Sequence, residues 1–196
     1  MYTPSKEILY RYADILINFA LRSGDGLKKG DTVFVAIPEC AKPMYIPLQE
    51  TILKAGGHPI MQYLPDGVAK NYFAHASDEQ IKHYPKHYYQ GQLKEMTHRV
   101  ALISTYDKHE FKDIDPKKLV ARQASRKPYK EALMQKEMDG NLTRTLGLYG
   151  TPAMAEEVGM TEEEYRGEII KACYLDAEDP IAEWKRCFEL IEKTKT

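Results

Sequence analysis

The stretch TVFVAI at residues 32–37, stopped by Pro38, and the stretch HPIMQYL at His58–Leu64 decide the fold. The first is a continuous apolar run rich in β-branched residues, which is typical of a strand covered on both faces of a parallel sheet. Between the two runs the sequence predicts a helix from about residue 43 to residue 55, and Gly56-Gly57 supplies its C-cap. Strand, helix and strand in this order form a βαβ unit.

The alternation of strands and helices continues on both sides of this unit. An amphipathic helix is predicted over residues 4–22, and further strands over residues 99–104 and 143–149. Residues 66–97 indicate short helices and connections. A helix starts at Asp115-Pro116 with Leu119 and Val120 predicted to face inward. Lys127-Pro128 breaks the helical pattern, which resumes over residues 129–138.

Three helix starts follow one another in the last fifty residues. Thr151 and Asp179 each precede a proline, which is favoured at the first helical position. Thr161 and Glu164 form a capping box between them. The last helix carries an apolar stripe at Ile181, Trp184, Phe188 and Ile191. We therefore predict a single α/β domain over residues 1–196, three-layered and Rossmann-like, with a mostly parallel sheet of about four or more strands and a helical C-terminal segment.

The composition argues against several classes of partner. Of 196 residues, 28 are Lys or Arg and 29 are Asp or Glu, so the formal net charge is −1. A dedicated nucleic-acid binder or membrane-surface binder usually has a clear basic excess, so we expect neither partner. No apolar run approaches the ~18 residues of a membrane span. Three widely spaced cysteines, Cys40, Cys173 and Cys187, indicate reduced thiols and a cytoplasmic protein.

The motifs that suggest chemistry are weak. His83 and His87 have helical spacing, but Pro85 between them disfavours a continuous helix and hence a shared metal site. The glycines of residues 24–30 follow a helix and precede a strand, which is the wrong context for a dinucleotide-binding loop. The basic residues around Tyr129 (Arg122, Arg126, Lys127 and Lys130) are interpreted as a solvated helix face. No residue is assigned a catalytic, substrate-binding or metal-binding role.

The loops that follow the strands are the expected location of ligand or interdomain contacts. Glu39-Cys40 follows the first strand, residues 104–107 follow the third, and Thr151 follows the fourth. In open α/β sheets, ligands bind beyond the carboxyl ends of the strands, where the strand order reverses. The sequence alone does not order the strands.

The ordered series of motifs resembles the dimetal aminopeptidase family of the thermophilic aminopeptidase T and aminopeptidase PepS type. The matching segments are YADIL at 12–16, LKKGDTV at 27–33, AGGH at 55–58, YGTP at 149–152, GMTEEEY at 159–165, and Asp179-Pro180 with Trp184. The resemblance covers most of residues 8–65 and 98–186, whereas residues 66–97 match poorly.

The resemblance implies a metal-dependent enzyme that releases N-terminal amino acids from peptides. It implies two divalent metal ions (zinc, cobalt or manganese), a homodimer, and metal ligands in a second half that these 196 residues do not include. We therefore expect an N-terminal domain without a metal of its own, inactive alone, whose partners are a C-terminal metal-binding domain and a peptide substrate. The alternative is a non-catalytic α/β binding or assembly module in a short paralogue.

Overall fold

The computed structural model describes residues 3–194, which contain a four-stranded, wholly parallel sheet. The strands are β1 (Thr32–Pro38), β2 (His58–Leu64), β3 (His98–Ile103) and β4 (Thr143–Leu148). They lie in the order β2-β1-β3-β4, so the sheet grows outward in both directions from the central pair β1 and β3. The predicted parallel α/β sheet is confirmed.

Ten α-helices are present in the described residues. They are α1 (Lys6–Asp14), α2 (Tyr45–Lys54), α3 (Val68–His75), α4 (Asp78–Lys82), α5 (Lys86–Glu95), α6 (Pro116–Ser125), α7 (Lys127–Met138), α8 (Pro152–Glu157), α9 (Glu162–Ala172) and α10 (Pro180–Thr194). Residues 66–97 thus form short helices, as predicted, and the C-terminal segment is helical.

Two hydrophobic clusters, one on each face of the sheet, make the three layers. On one face Val33, Val35 and Val100 pack against α1, α2 and the C-terminal helices. On the other face Phe34 and Ala36 pack with apolar residues of α5 and α7. Because side chains of a strand alternate between faces, the uninterrupted apolar run of β1 is what both layers require. The predicted three-layer arrangement is confirmed.

The first helix differs from the single helix expected over residues 4–22. It is α-helical only to Asp14 and π-helical over Ile15–Phe19, and it ends in a tight turn over Leu21–Gly24, where Arg22 and Ser23 have left-handed backbone with φ of 53°. Gly26, the next glycine, packs so closely on this segment that an added Cβ would lie 2.2 Å from the Asn18 carbonyl oxygen. The wider π turn therefore accompanies a close approach of the following chain, which local periodicity does not reveal.

The three predicted C-terminal helix starts are confirmed. Thr151 accepts a hydrogen bond from the Met154 amide, Thr161 and Glu164 form a reciprocal capping box, and Asp179 caps α10. The prediction that Leu119 and Val120 of α6 both face inward was wrong for Val120, which is 65% exposed, whereas Leu119 is half-buried. This helix packs mainly against α4.

Candidate functional site at the carboxyl edge of the sheet

The loops after the strands converge at the carboxyl edge of the sheet. The strand order reverses between β1 and β3, which makes this edge the topological switch point of the fold. Thr151, after β4, donates a hydrogen bond to the Thr105 carbonyl at 2.5 Å, after β3. Glu39, after β1, accepts one from the Asp66 amide at 3.0 Å, after β2. The three loops expected from the sequence are therefore brought to one edge, and the turn after β2 joins them.

A cleft of about 350 Å³ opens at this edge between two walls. One wall is the turn at residues 64–69, the other is the segment at residues 104–111, and Pro38 lies between them. Leu64, Tyr106 and Phe111 line it and are 41%, 37% and 37% exposed, so the cleft has apolar surface open to solvent. Pro65-Asp66-Gly67 was predicted only as the end of β2, so this wall of the cleft was not expected from the sequence. The signal available in the sequence was the position of this turn directly after a parallel strand.

The cleft carries more acidic than basic groups. Asp66, Asp107 and Glu110 line it, against a single lining basic residue, Lys108. Within the described part of the chain, none of the three carboxylates forms an ion pair. Burial raises the pKa of Asp66, and the negative charge of the nearby Glu39 raises it further. The hydrogen bond from the Cys40 thiol opposes this rise without cancelling it. The cleft is consequently a region of negative potential.

Cys40 is a protonated thiol at neutral pH rather than a nucleophile. Its sulfur donates to Asp66 Oδ2 at 3.6 Å. Burial raises the pKa of Cys40, and the negative charge of Asp66 raises it further. Reactive cysteines need the opposite, an electropositive surrounding that stabilises the thiolate. Covalent catalysis by this residue is therefore not supported.

A buried cation holds the last loop in place. The Arg166 guanidinium, on α9, lies 4.8 Å from the Tyr149 ring centroid, donates to its hydroxyl at 3.3 Å, and pairs with Glu162 at 2.7 Å. Gly150 follows directly, and a Cβ there would come within 2.9 Å of the Tyr165 ring. The glycine lets α9 pack closely against the end of β4. This cluster thereby fixes the loop that contains Thr151.

A polar network at the opposite, amino edge of the sheet resembles a catalytic triad in its distances. His98 lies 2.9 Å from Asp31 Oδ2 and 2.7 Å from the Thr143 hydroxyl. His98 is only 2% exposed, and both oxygens of Asp31 already accept from Arg22 at 2.8 Å. The Lys28 amide also donates to Asp31, at 2.7 Å. The network thus ties β1, β3 and β4 together as a structural feature, which the sequence analysis missed.

The remaining sequence candidates lie apart from the cleft. His83 ends α4 whereas His87 lies in α5, so the two histidines do not share a helix face. The basic residues near Tyr129 are not simply solvated. Arg122 donates to the carbonyl of His83 at 3.2 Å, and Arg126 lies over the Tyr89 ring. Tyr89 also packs on other tyrosine rings, so these tyrosines bind the middle helices together.

The residues that the structure describes do not fit the pair of divalent metal ions that the resemblance implies. Across residues 3–194 no group of three or more His, Cys, Asp or Glu side chains is arranged to hold a metal ion. Thiol, imidazole and carboxylate groups are the usual metal donors, and a catalytic zinc ion commonly takes three protein ligands.

Among residues 3–194, no helix is long and apolar enough to cross a membrane.

Comparison with known proteins identifies the class as a metallopeptidase. The model of the thermophilic metalloprotease family (M29) matches residues 5–196, and the chain belongs to this family. Among solved structures it is similar to wild-type AmpT from Thermus thermophilus, with a TM-score of 0.73 and 21% sequence identity. That similarity covers 92% of this chain and 45% of AmpT, so the chain spans less than half the length of that relative. No protein with a curated description matches the chain.

Proposed function

We propose that this chain is the N-terminal, non-metal-binding half of a two-domain aminopeptidase that releases N-terminal amino acids from peptides. One observation carries the proposal. The metalloprotease family model matches residues 5–196, yet residues 3–194 contain no group of side chains suited to a metal ion. In the proposed enzyme, two divalent ions (zinc, cobalt or manganese) in the companion domain activate water and polarise the scissile carbonyl.

An exposed apolar surface on α10 supports a polypeptide partner. Phe188 packs edge-on against Phe19 but remains 39% exposed, and Ile191, three residues further and therefore on the same helix face, is 52% exposed. Adjacent exposed apolar side chains of this kind mark a surface that another protein segment covers. We assign it to the C-terminal metal-binding domain, and we expect the complete enzyme to be a cytoplasmic homodimer.

The direct test is a peptidase assay on the 196-residue chain. The purified chain, incubated with zinc, cobalt or manganese and a leucyl reporter peptide, should give no turnover above the metal-only background. AmpT, assayed in parallel under the same conditions, is the positive control. Metal-dependent cleavage by the chain alone would show that the catalytic ligands lie within it and would refute the proposal.

In the complete enzyme, this half is expected to shape the wall of the active-site cavity and limit the size of the substrate. The segment of AmpT that aligns with this chain can be deleted to test that role. We expect the deletion to change both the selectivity for peptide length and the dimerisation of the enzyme. If both stay unchanged, the structural role assigned to this half is wrong.

The open cleft favours a second candidate, a non-catalytic binding or assembly module of a short paralogue. A binding module needs only a lined cavity on a stable α/β scaffold, and the cleft between residues 64–69 and 104–111 offers one. The coding sequence beyond Thr196 distinguishes the two candidates. Strands bearing Glu and His residues after that point support the aminopeptidase, and a stop codon there supports the binding module.

A further inference from the structure

We propose that the cleft at the carboxyl edge of the sheet binds the basic side chain of a lysine or arginine residue in a peptide. The proposal rests on the proposed function only in naming a peptide as the carrier of that side chain. The recognition itself follows from the chemistry of the cleft walls. Lysine and arginine have an apolar stem and a cationic end, and the cleft offers surface for both.

The apolar part of the cleft suits the stem of such a side chain. Leu64 comes from the turn after β2, while Tyr106 and Phe111 come from the segment after β3, so apolar groups face the cleft from both walls. All three keep more than a third of their surface exposed. Phe111 is held by an edge-on contact with Phe73 at 5.9 Å, so its ring is a supported surface. A methylene chain between the walls would remove apolar surface from water.

The charged part of the cleft selects a cation and disfavours an anion. Asp66, Asp107 and Glu110 line the cleft without a basic partner in the described residues, whereas Lys108 is the single lining cation. A phosphate or carboxylate ligand would be repelled by this net negative charge. A guanidinium or ammonium group compensates it and can donate several hydrogen bonds.

The test uses the 196-residue chain and small probes that carry only the relevant group. N-acetyl-argininamide presents the cationic side chain with no free α-amine, N-acetyl-citrullinamide is its neutral counterpart, and leucinamide offers a free α-amine with an apolar side chain. Binding is followed by amide chemical-shift changes in NMR spectra. We expect saturable changes with the arginine probe, centred on residues 64–69 and 104–111, and none with the other two probes.

Charge variants provide a second readout. Replacing Asp107→Asn and Glu110→Gln together should weaken binding of the arginine probe about fivefold, as expected for two solvent-exposed charge pairs. The matched control replaces Glu156→Gln and Glu157→Gln, which are exposed on α8 outside the cleft, and should bind as the unchanged chain does. Both doubly substituted proteins are checked for folding by circular dichroism.

Each contrary outcome overturns the proposal. If the arginine probe gives no saturable chemical-shift change, the cleft does not bind a basic side chain. If the citrulline probe binds as well as the arginine probe, the charge of the ligand does not contribute to recognition. Equal binding of leucinamide shows that the cleft reads an α-amine instead of a side chain. These comparisons use the unchanged chain, so they stand even if a variant does not fold. Because no metal or turnover is involved, failure here is distinct from failure of the aminopeptidase proposal.

Discussion

Replacing Tyr12→Phe tests how the first helix is attached to the sheet. The Tyr12 hydroxyl accepts a hydrogen bond from the Leu148 amide at 2.7 Å and donates one to the Leu148 carbonyl at 3.1 Å. The neighbouring Tyr149 amide instead donates to Ile103 in β3, so the polar groups of Leu148 point toward the open edge of β4. One hydroxyl of α1 thus satisfies both backbone groups at that edge.

The magnitude follows from these two bonds. Tyr12 is only 6% exposed, and phenylalanine has nearly the same shape, so the apolar packing is retained. Each intramolecular hydrogen bond contributes about 0.5–1.5 kcal/mol, and a buried polar group left unpaired costs about 1–3 kcal/mol. We therefore expect the free energy of unfolding to fall by about 2–3 kcal/mol. For a chain of this length, that lowers the Tm by about 4–12 °C.

The assay is urea denaturation followed by circular dichroism, with thermal unfolding as a second readout. Tyr88→Phe is the matched control, because Tyr88 is 56% exposed and phenylalanine preserves its ring contact with Tyr89. The control should change stability by less than about 0.5 kcal/mol. A Tyr12→Phe variant that loses no more than the control would contradict the proposed attachment of α1 to β4.

Three further predictions concern the packing and titration of buried groups. Gly150→Ala should destabilise the fold by about 1–3 kcal/mol in denaturant titration, because the new Cβ would lie 2.9 Å from the Tyr165 ring. Burial lowers the pKa of His98 despite the opposing effect of Asp31. As the pH falls, the His98 imidazole is therefore protonated in the unfolded chain at a higher pH than in the folded chain. Stability should therefore fall as the pH drops through about 6.5, and His98→Gln should flatten that slope; an unchanged slope would contradict the assignment. At Asp31, burial favours the protonated carboxyl, but the hydrogen bonds to the carboxylate outweigh it and lower the pKa. The folded chain should therefore lose further stability as the pH falls below 3.8. Cys40, with its raised pKa, should react with iodoacetamide at pH 7.5 more slowly than free cysteine, and faster alkylation in a mass-spectrometric assay would refute the thiol assignment.

Much of the fold was predictable because its signals are local. The apolar run of β1 and the capping residues Thr151, Thr161 and Asp179 act on neighbouring residues, and each formed the expected element. The change of helical pitch after Asp14 was not predictable from local periodicity, because it accompanies a close contact with a glycine later in the chain. The exposure of Val120 likewise depends on which neighbour α6 packs against.

The candidate site was predictable as a set of loops but not as a cleft. Three strand-following loops were expected at one edge, and they meet there because the strands are parallel. The wall formed by residues 64–69 depends on the strand order, which no local pattern specifies. The pairing of His98 with Asp31 joins residues 67 positions apart, so spacing could not reveal it.

The central claim is that this chain supports a metal site that lies outside it. Equilibrium dialysis of the purified chain against zinc, cobalt or manganese, followed by elemental analysis of the protein, tests that claim most directly. The account predicts far less than one bound ion per chain. Two tightly bound ions per chain, retained after exhaustive dialysis against metal-free buffer, would contradict it.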